Sequence, residues 1–299
     1  MASANESESV HATMYFLQRS SIYDEEKPYS LRFPPGDGLA QSNILREAHL
    51  IQVASMRGRS DLRLETCGFE VMAFSSPLSY EDYEDANKIA HVLLPALCRK
   101  LKQHLSAQHV VALDFSVRRR HASFPVSTGK DYDHDQPTNM AHIDFTPEEG
   151  ERMLRVMYPD QADEIIAGDW YSTWFPLRGP LNDWPLAICD ARTVDREADL
   201  MPGDIVYTDW ATENLQVHHS DRHKWYYLPD QTVDEVLIFK SGESSSAKVQ
   251  AVPHGSFYNP RVQAGEPPRE SIDSRFFVLF APLEKYPRVQ GNVFSQRPD

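Results

Sequence analysis

Between residues 170 and 280 the chain breaks into seven short runs rich in β-branched and aromatic residues, each bounded by turn formers. This spacing constrains the fold more than any other feature. The runs are Trp170 to Leu177, Trp184 to Cys189, Asp204 to Tyr207, Lys224 to Leu228, Glu235 to Phe239, Lys248 to Val252 and Ser274 to Phe280. Strands of this length and spacing predict a jelly roll or barrel. Upstream, Tyr80 to Leu105 is helical, with Ile89, Val92, Leu93, Leu97, Leu101 and Leu105 mostly three or four apart and Pro95 set to kink it or split it into two helices. Strands are also expected at His49–Val53, Cys67–Phe74 and His109–Val117. The fold class is therefore α+β, mainly β: a double-stranded β-helix (jelly roll, cupin-like) with flanking helices. The organisation expected is a loose tail over 1–12 and one domain over 13–299. Within that domain, 13–135 forms an N-terminal part with the long helix, 136–285 the β-barrel core and 286–299 a C-terminal tail.

Charge narrows the partners. A formal net charge of −14 argues against a phosphate-backbone ligand, and the short cluster Arg118-Arg119-Arg120 does not reverse it. Met1 to Val10 is polar and acidic, without the basic and apolar regions of a secretory signal, and no run approaches a membrane span. Three widely spaced cysteines suggest neither a disulfide framework nor a zinc motif. The expectation is a cytoplasmic protein, monomer or homodimer, with a small-molecule partner, no nucleic acid and no membrane.

Chemistry concentrates in Met140-Ala141-His142-Ile143-Asp144-Phe145-Thr146. In an extended strand, residues two apart share a face, so His142 and Asp144 project side by side and can hold adjacent corners of a metal's coordination sphere. One more histidine completes a two-His-one-carboxylate set that leaves positions open and suits non-haem Fe(II) oxygenases. Thr146-Pro147-Glu148-Glu149 reads as a helix start, which ends the strand abruptly and leaves the pair near a rim. His254, late in the chain, is the leading third ligand; His223 and His219 compete. Downstream, alternation puts Arg269, Ser271, Asp273 and Arg275 on one face. A guanidinium and a hydroxyl two residues apart can grip the far carboxylate of a 2-oxo acid, with either Arg269 and Ser271 or Arg275 in that role. Substrate contacts are expected from Arg118, Arg120, Trp174 and Tyr226.

As a set, these motifs resemble the AsaB-like hydroxylase/desaturase family, related to gibberellin desaturase and to CmcJ. The resemblance runs from Lys27-Pro28-Tyr29 and Gly68-Phe69-Glu70 through Pro185-Leu186-Ala187-Ile188-Cys189-Asp190 and His223-Lys224-Trp225-Tyr226-Tyr227. It closes with Pro253-His254-Gly255-Ser256-Phe257 and Arg269-Glu270-Ser271-Ile272. It implies an enzyme, a non-haem iron dioxygenase that uses Fe(II), 2-oxoglutarate and O2 to oxidise a C–H bond of a small molecule in natural-product biosynthesis. Hydroxylation, desaturation and oxidative cyclisation all remain open. The chain departs from the family at Phe175, where an arginine usually follows the tryptophan, which makes Phe175 a further candidate for the substrate pocket. It departs again at Lys240-Ser241-Gly242, which lacks the usual Asp-Ser pair. Two rivals, a cupin-type metal-dependent isomerase or lyase and a non-catalytic binding barrel, need no arginine clamp and form no succinate.

Overall fold

Apolar and polar residues alternate through Val10-His11-Ala12-Thr13-Met14, and in the computed structural model they form the first strand, β1 (Val10–Leu17). The model describes residues 9–36, 38–126, 132–165, 169–244 and 248–281, and the side chains of 169 and 170 lie outside that description. The tail read over 1–12 is therefore shorter. Val10 and Ala12 are buried, and all of β1 pairs antiparallel with Arg46–Ser55. The acidic residues just before Val10 mask this alternation in the sequence. Residues 1–8 and the proposed C-terminal tail at 286–299 fall outside the described residues.

After β1 come β2 (Tyr29–Leu31), β3 (Arg46–Ser55), β4 (Phe69–Ala73), β5 (His109–Arg119), β6 (His142–Ile143) and β7 (Asp169–Pro176). Then follow β8 (Leu186–Cys189), β9 (Leu200–Val206), β10 (Ala211–Val217), β11 (Trp225–Tyr227), β12 (Glu235–Gly242), β13 (His254–Ser256) and β14 (Glu270–Leu279). Two sheets result. One has nine strands in the order β1-β3-β11-β8-β13-β6-β10-β9-β2, and the other has five in the order β4-β12-β7-β14-β5. Tyr15 also bridges Met140, and the Ala141 amide donates to the Tyr15 carbonyl, so β1 returns against the lead-in to β6. This is a double-stranded β-helix with flanking helices. Strands β1, β2, β3, β4 and β5 join it from before residue 136, so the β-core is not confined to 136–285.

The interior between the sheets is filled by Phe69, Trp174, Leu186, Ile188, Leu237 and Phe239. The five-stranded sheet's other face packs under the helix Leu94–His104 through Phe175, Ile272 and Phe276. That helical region is not one kinked rod. Asp85 caps a short turn at Ala86–Lys88, a π-helical stretch spans Ile89–Leu93, and Pro95 lies in the first turn of the helix that follows. Proline lacks the donor a continuous helix requires, and the wide turn absorbs the mismatch. The run Lys248–Val252 is not a strand. The Gln250 side chain is drawn to the Ala191 and Val194 carbonyls, and pairing begins only after Pro253. Among the described residues no helix is long and apolar enough to cross a membrane.

Candidate metal centre

Strand register assembles the site. His254 on β13 lies opposite both His142 on β6 and Ile188 on β8. Gly255 lets these strands close up: a Cβ there would meet the Met14 methyl at 3.0 Å and the Met140 carbonyl at 3.3 Å. Two residues past His142, Asp144 reaches the same face before the chain turns into the helix Pro147–Met157. Thr146 caps this helix by accepting from the Glu149 amide at 3.1 Å. The Glu149 carboxylate does not complete the capping box; it binds Arg152 and Thr212.

One ligand atom each from His142, Asp144 and His254 can be chosen so that all lie within 4.8 Å of one another. Both Nε2 atoms lie 3.7 Å from Asp144 Oδ1. Each ring is oriented by its other nitrogen: His142 Nδ1 donates to the Met140 carbonyl at 2.9 Å, and His254 Nδ1 to the Val252 carbonyl at 3.2 Å. A proton fixed on Nδ1 leaves the Nε2 lone pair for a metal. The Asp144 carboxylate is oriented in the same way, with Ser172 donating to Oδ2 at 3.0 Å. Burial, with His254 alongside, pulls His142 down to about 4, so its imidazole is neutral. Burial opposes ionisation of Asp144, but His254, Arg275, His142 and the Ser172 hydrogen bond hold its carboxyl below the usual range. Two imidazoles and a carboxylate suit a divalent iron.

The triad lines a small cavity, open to the surface, together with Arg118, Trp174, Phe239 and Arg269. Its volume is about 50 Å³, room for only a few waters. Two wider surface clefts, about 510 and 420 Å³, lie along Arg178–Asp183 and Arg57–Arg63, and neither contains a triad residue.

Arg269 is 2% exposed. Its guanidinium donates to the Trp184 carbonyl at 2.8 Å, to Ser271 Oγ at 3.0 Å and to Ser256 Oγ, and it stacks 4.8 Å from the Trp174 ring centre. No carboxylate among the described residues forms an ion pair with it. Burial, with Arg118 nearby, pulls it down to about 9. The Asp183 carboxylate accepts from its main-chain N–H at 2.7 Å, not from the guanidinium, whose hydrogen-bond acceptors are all neutral. A buried cation with neutral acceptors can receive an anion. The donor set and this cation thus fit Fe(II) and a 2-oxo dicarboxylate.

Other candidate residues are placed differently. Arg275 forms a bidentate pair with Asp114, its Nε donating to Oδ1 at 2.7 Å, and it does not line the cavity. Arg118 lines the cavity with its Nε donated to Asp273 at 2.7 Å, whereas Arg120 is engaged by Asp183 and lies outside. Trp174 faces the cavity. Strand alternation turns Phe175 the opposite way, into the helix-covered core near Phe74 and Tyr83. Tyr226 packs against Phe69 beneath Arg59, off the cavity wall. His223 is bound to Asp199 at 3.1 Å and His219 stacks on His49, so neither belongs to the triad. Ser172 and Ser256 are absent from the sequence reading, yet the same two-residue alternation puts them beside Trp174 and His254.

A family model described as oxidoreductase/YMDC permease-like domain matches residues 14–279. The chain is 30% identical over 274 residues to the Fe(II)/2-oxoglutarate-dependent dioxygenase nvfI of Aspergillus novofumigatus, covering 89% of this chain and 95% of that protein. The chain belongs to this family of Fe(II)/2-oxoglutarate-dependent oxygenases. The hydroxylase/desaturase poxK of Penicillium oxalicum is 25% identical over 292 residues, covering 86% of the oxygenase and 88% of that relative. A solved structure of the iron and alpha-ketoglutarate-dependent endoperoxidase NvfI superposes with a TM-score of 0.81 at 27% identity, covering 94% of the oxygenase and all of that chain. The oxygenase uses Fe(II) and 2-oxoglutarate to oxidise a small molecule in secondary metabolism.

Proposed function

We propose that His142 Nε2, His254 Nε2 and Asp144 Oδ1 hold the iron, and that Arg269 with Ser271 grips the far carboxylate of 2-oxoglutarate. The observation that carries this is the buried Arg269 cation, without an acid partner among the described residues, in the same cavity as the triad. Arg275, engaged with Asp114, braces the wall instead. When bound, iron with 2-oxoglutarate and O2 supplies C–H oxidation, leaving succinate and carbon dioxide.

The chain's own residues bind, orient and exclude water. Ser172 steadies Asp144, and Phe239 packs 4.6 Å from the His254 ring centre, keeping solvent off the ligand. The substrate enters past Arg118 and Asp273, whose mutual pairing gives that wall a neutral, hydrogen-bonding character suited to an uncharged, oxygenated natural product. Within the family we place the chain with the AsaB-like hydroxylase/desaturases. It acts as a single-domain cytoplasmic enzyme, monomer or homodimer, for which the net charge of −14 favours solubility.

The test is an anaerobic mixture of protein, Fe(II) and 2-oxoglutarate, examined for a weak visible charge-transfer band, then exposed to air and assayed for succinate. A band followed by succinate is expected; neither appearing sinks the reading. Metabolite extracts screened for one added oxygen or two lost hydrogens would then identify the substrate.

A further inference from the structure

Trp174 presents a buried donor that nothing among the described residues satisfies. The residue is 2% exposed, and its indole Nε1 has no hydrogen-bond partner among them. It lines the triad's cavity, and Arg269 lies over its ring. A buried N–H left unmade costs stability, so a donor kept at a ligand cavity has a use when the ligand is present. The ring offers its negative face to the guanidinium and its positive edge, which includes the N–H, to an anion. Orphaning alone does not single the residue out. Trp225 Nε1 is equally buried and unpartnered, but it packs near Phe16, away from the cavity.

We propose that Trp174 is a further co-substrate-binding residue, its indole N–H donating to the carboxylate that Arg269 holds. This rests on the reading of Arg269 above, and it moves Trp174 from the substrate wall to the 2-oxoglutarate subsite. It also explains why an aromatic ring stands beneath the arginine where an aliphatic side chain would fill the space without supplying a donor.

Two measurements test it on Zn(II)-loaded, diamagnetic protein. In wild type, 2-oxoglutarate should move one of the five indole ¹H–¹⁵N resonances strongly downfield, the one missing from Trp174→Phe, while that of Trp225 stays in place. By calorimetry, Trp174→Phe should bind 2-oxoglutarate about tenfold or more weakly, as for one lost charge-assisted hydrogen bond, with Zn(II) affinity unchanged. An unmoved Trp174 resonance together with wild-type affinity in Trp174→Phe overturns the proposal while leaving Arg269 intact. Wild type failing to bind 2-oxoglutarate at all would overturn the site reading itself and this inference with it. Should Trp174→Phe fail to fold, replacing each of the other four tryptophans in turn assigns the Trp174 resonance by elimination.

Discussion

Replacing Arg269 with methionine separates binding from stability. Its guanidinium is held at about 9, well below the ordinary arginine range, a gap equivalent to about 5 kcal/mol of unfavourable free energy for the charged form. Because the folded-state value lies below the unfolded one, the cation carries that penalty at every pH below about 9 and sheds it above. Against it stand three hydrogen bonds, to the Trp184 carbonyl, Ser256 and Ser271, at about 1.5 kcal/mol each for a charged donor. The two contributions nearly cancel. Arg269→Met should therefore leave the urea stability of the ligand-free protein within about 2 kcal/mol of wild type, whereas truncating an acid-paired buried arginine typically costs about 3–5 kcal/mol. Loss of 2-oxoglutarate affinity should be about 30-fold or more, as expected when one member of a buried charge pair is removed. Anaerobic titration with 2-oxoglutarate and urea melts on the same preparation measure both. A variant that binds 2-oxoglutarate like wild type but is destabilised by about 3 kcal/mol or more would show that Arg269 is a structural brace and refute the reasoning.

Further outcomes follow from the same geometry. His254→Ala should abolish Fe(II) binding in an equilibrium titration; His223→Ala, which loses its Asp199 hydrogen bond and its packing on Trp225, should bind iron normally and melt earlier. Ser172→Ala frees Asp144 Oδ2 and should weaken metal affinity by about 10–100-fold, and Ser172→Thr should restore much of it; equal affinities in all three proteins would contradict the orienting role. Thr146→Ala removes both the cap to Glu149 and the hydrogen bond to Glu213, and should lower urea stability by about 1–2 kcal/mol.

Patterns with a local physical cause were legible in the sequence. The two-residue period placed His142 beside Asp144, and Thr146-Pro147 placed the helix start, because each needs only a strand or cap a few residues long. His254 and Arg269 were legible as candidates beside His223 and Arg275, but the partners that engage the latter two, Asp199 and Asp114, lie 24 and 161 residues distant and were not. Phe175 was misjudged as a pocket residue although alternation from Trp174 turns it into the opposite core. The strand Ala211–Val217 escaped notice because buried polar residues, Thr212, Asn214 and Gln216, occupy one of its faces. The π-helical stretch before Pro95 has no composition of its own that announces it; the proline marks only where the helix must adjust.

Each triad histidine is tethered to the carbonyl two positions earlier in its own strand, His142 to Met140 and His254 to Val252. The aim of both rings is thus written into main-chain atoms that every amino acid carries. Evolution can exchange the neighbouring side chains, and with them the guest molecule, while the imidazoles keep their bearing. A scaffold wired this way can acquire new chemistry through its walls long before its metal-gripping hinge-points feel the change.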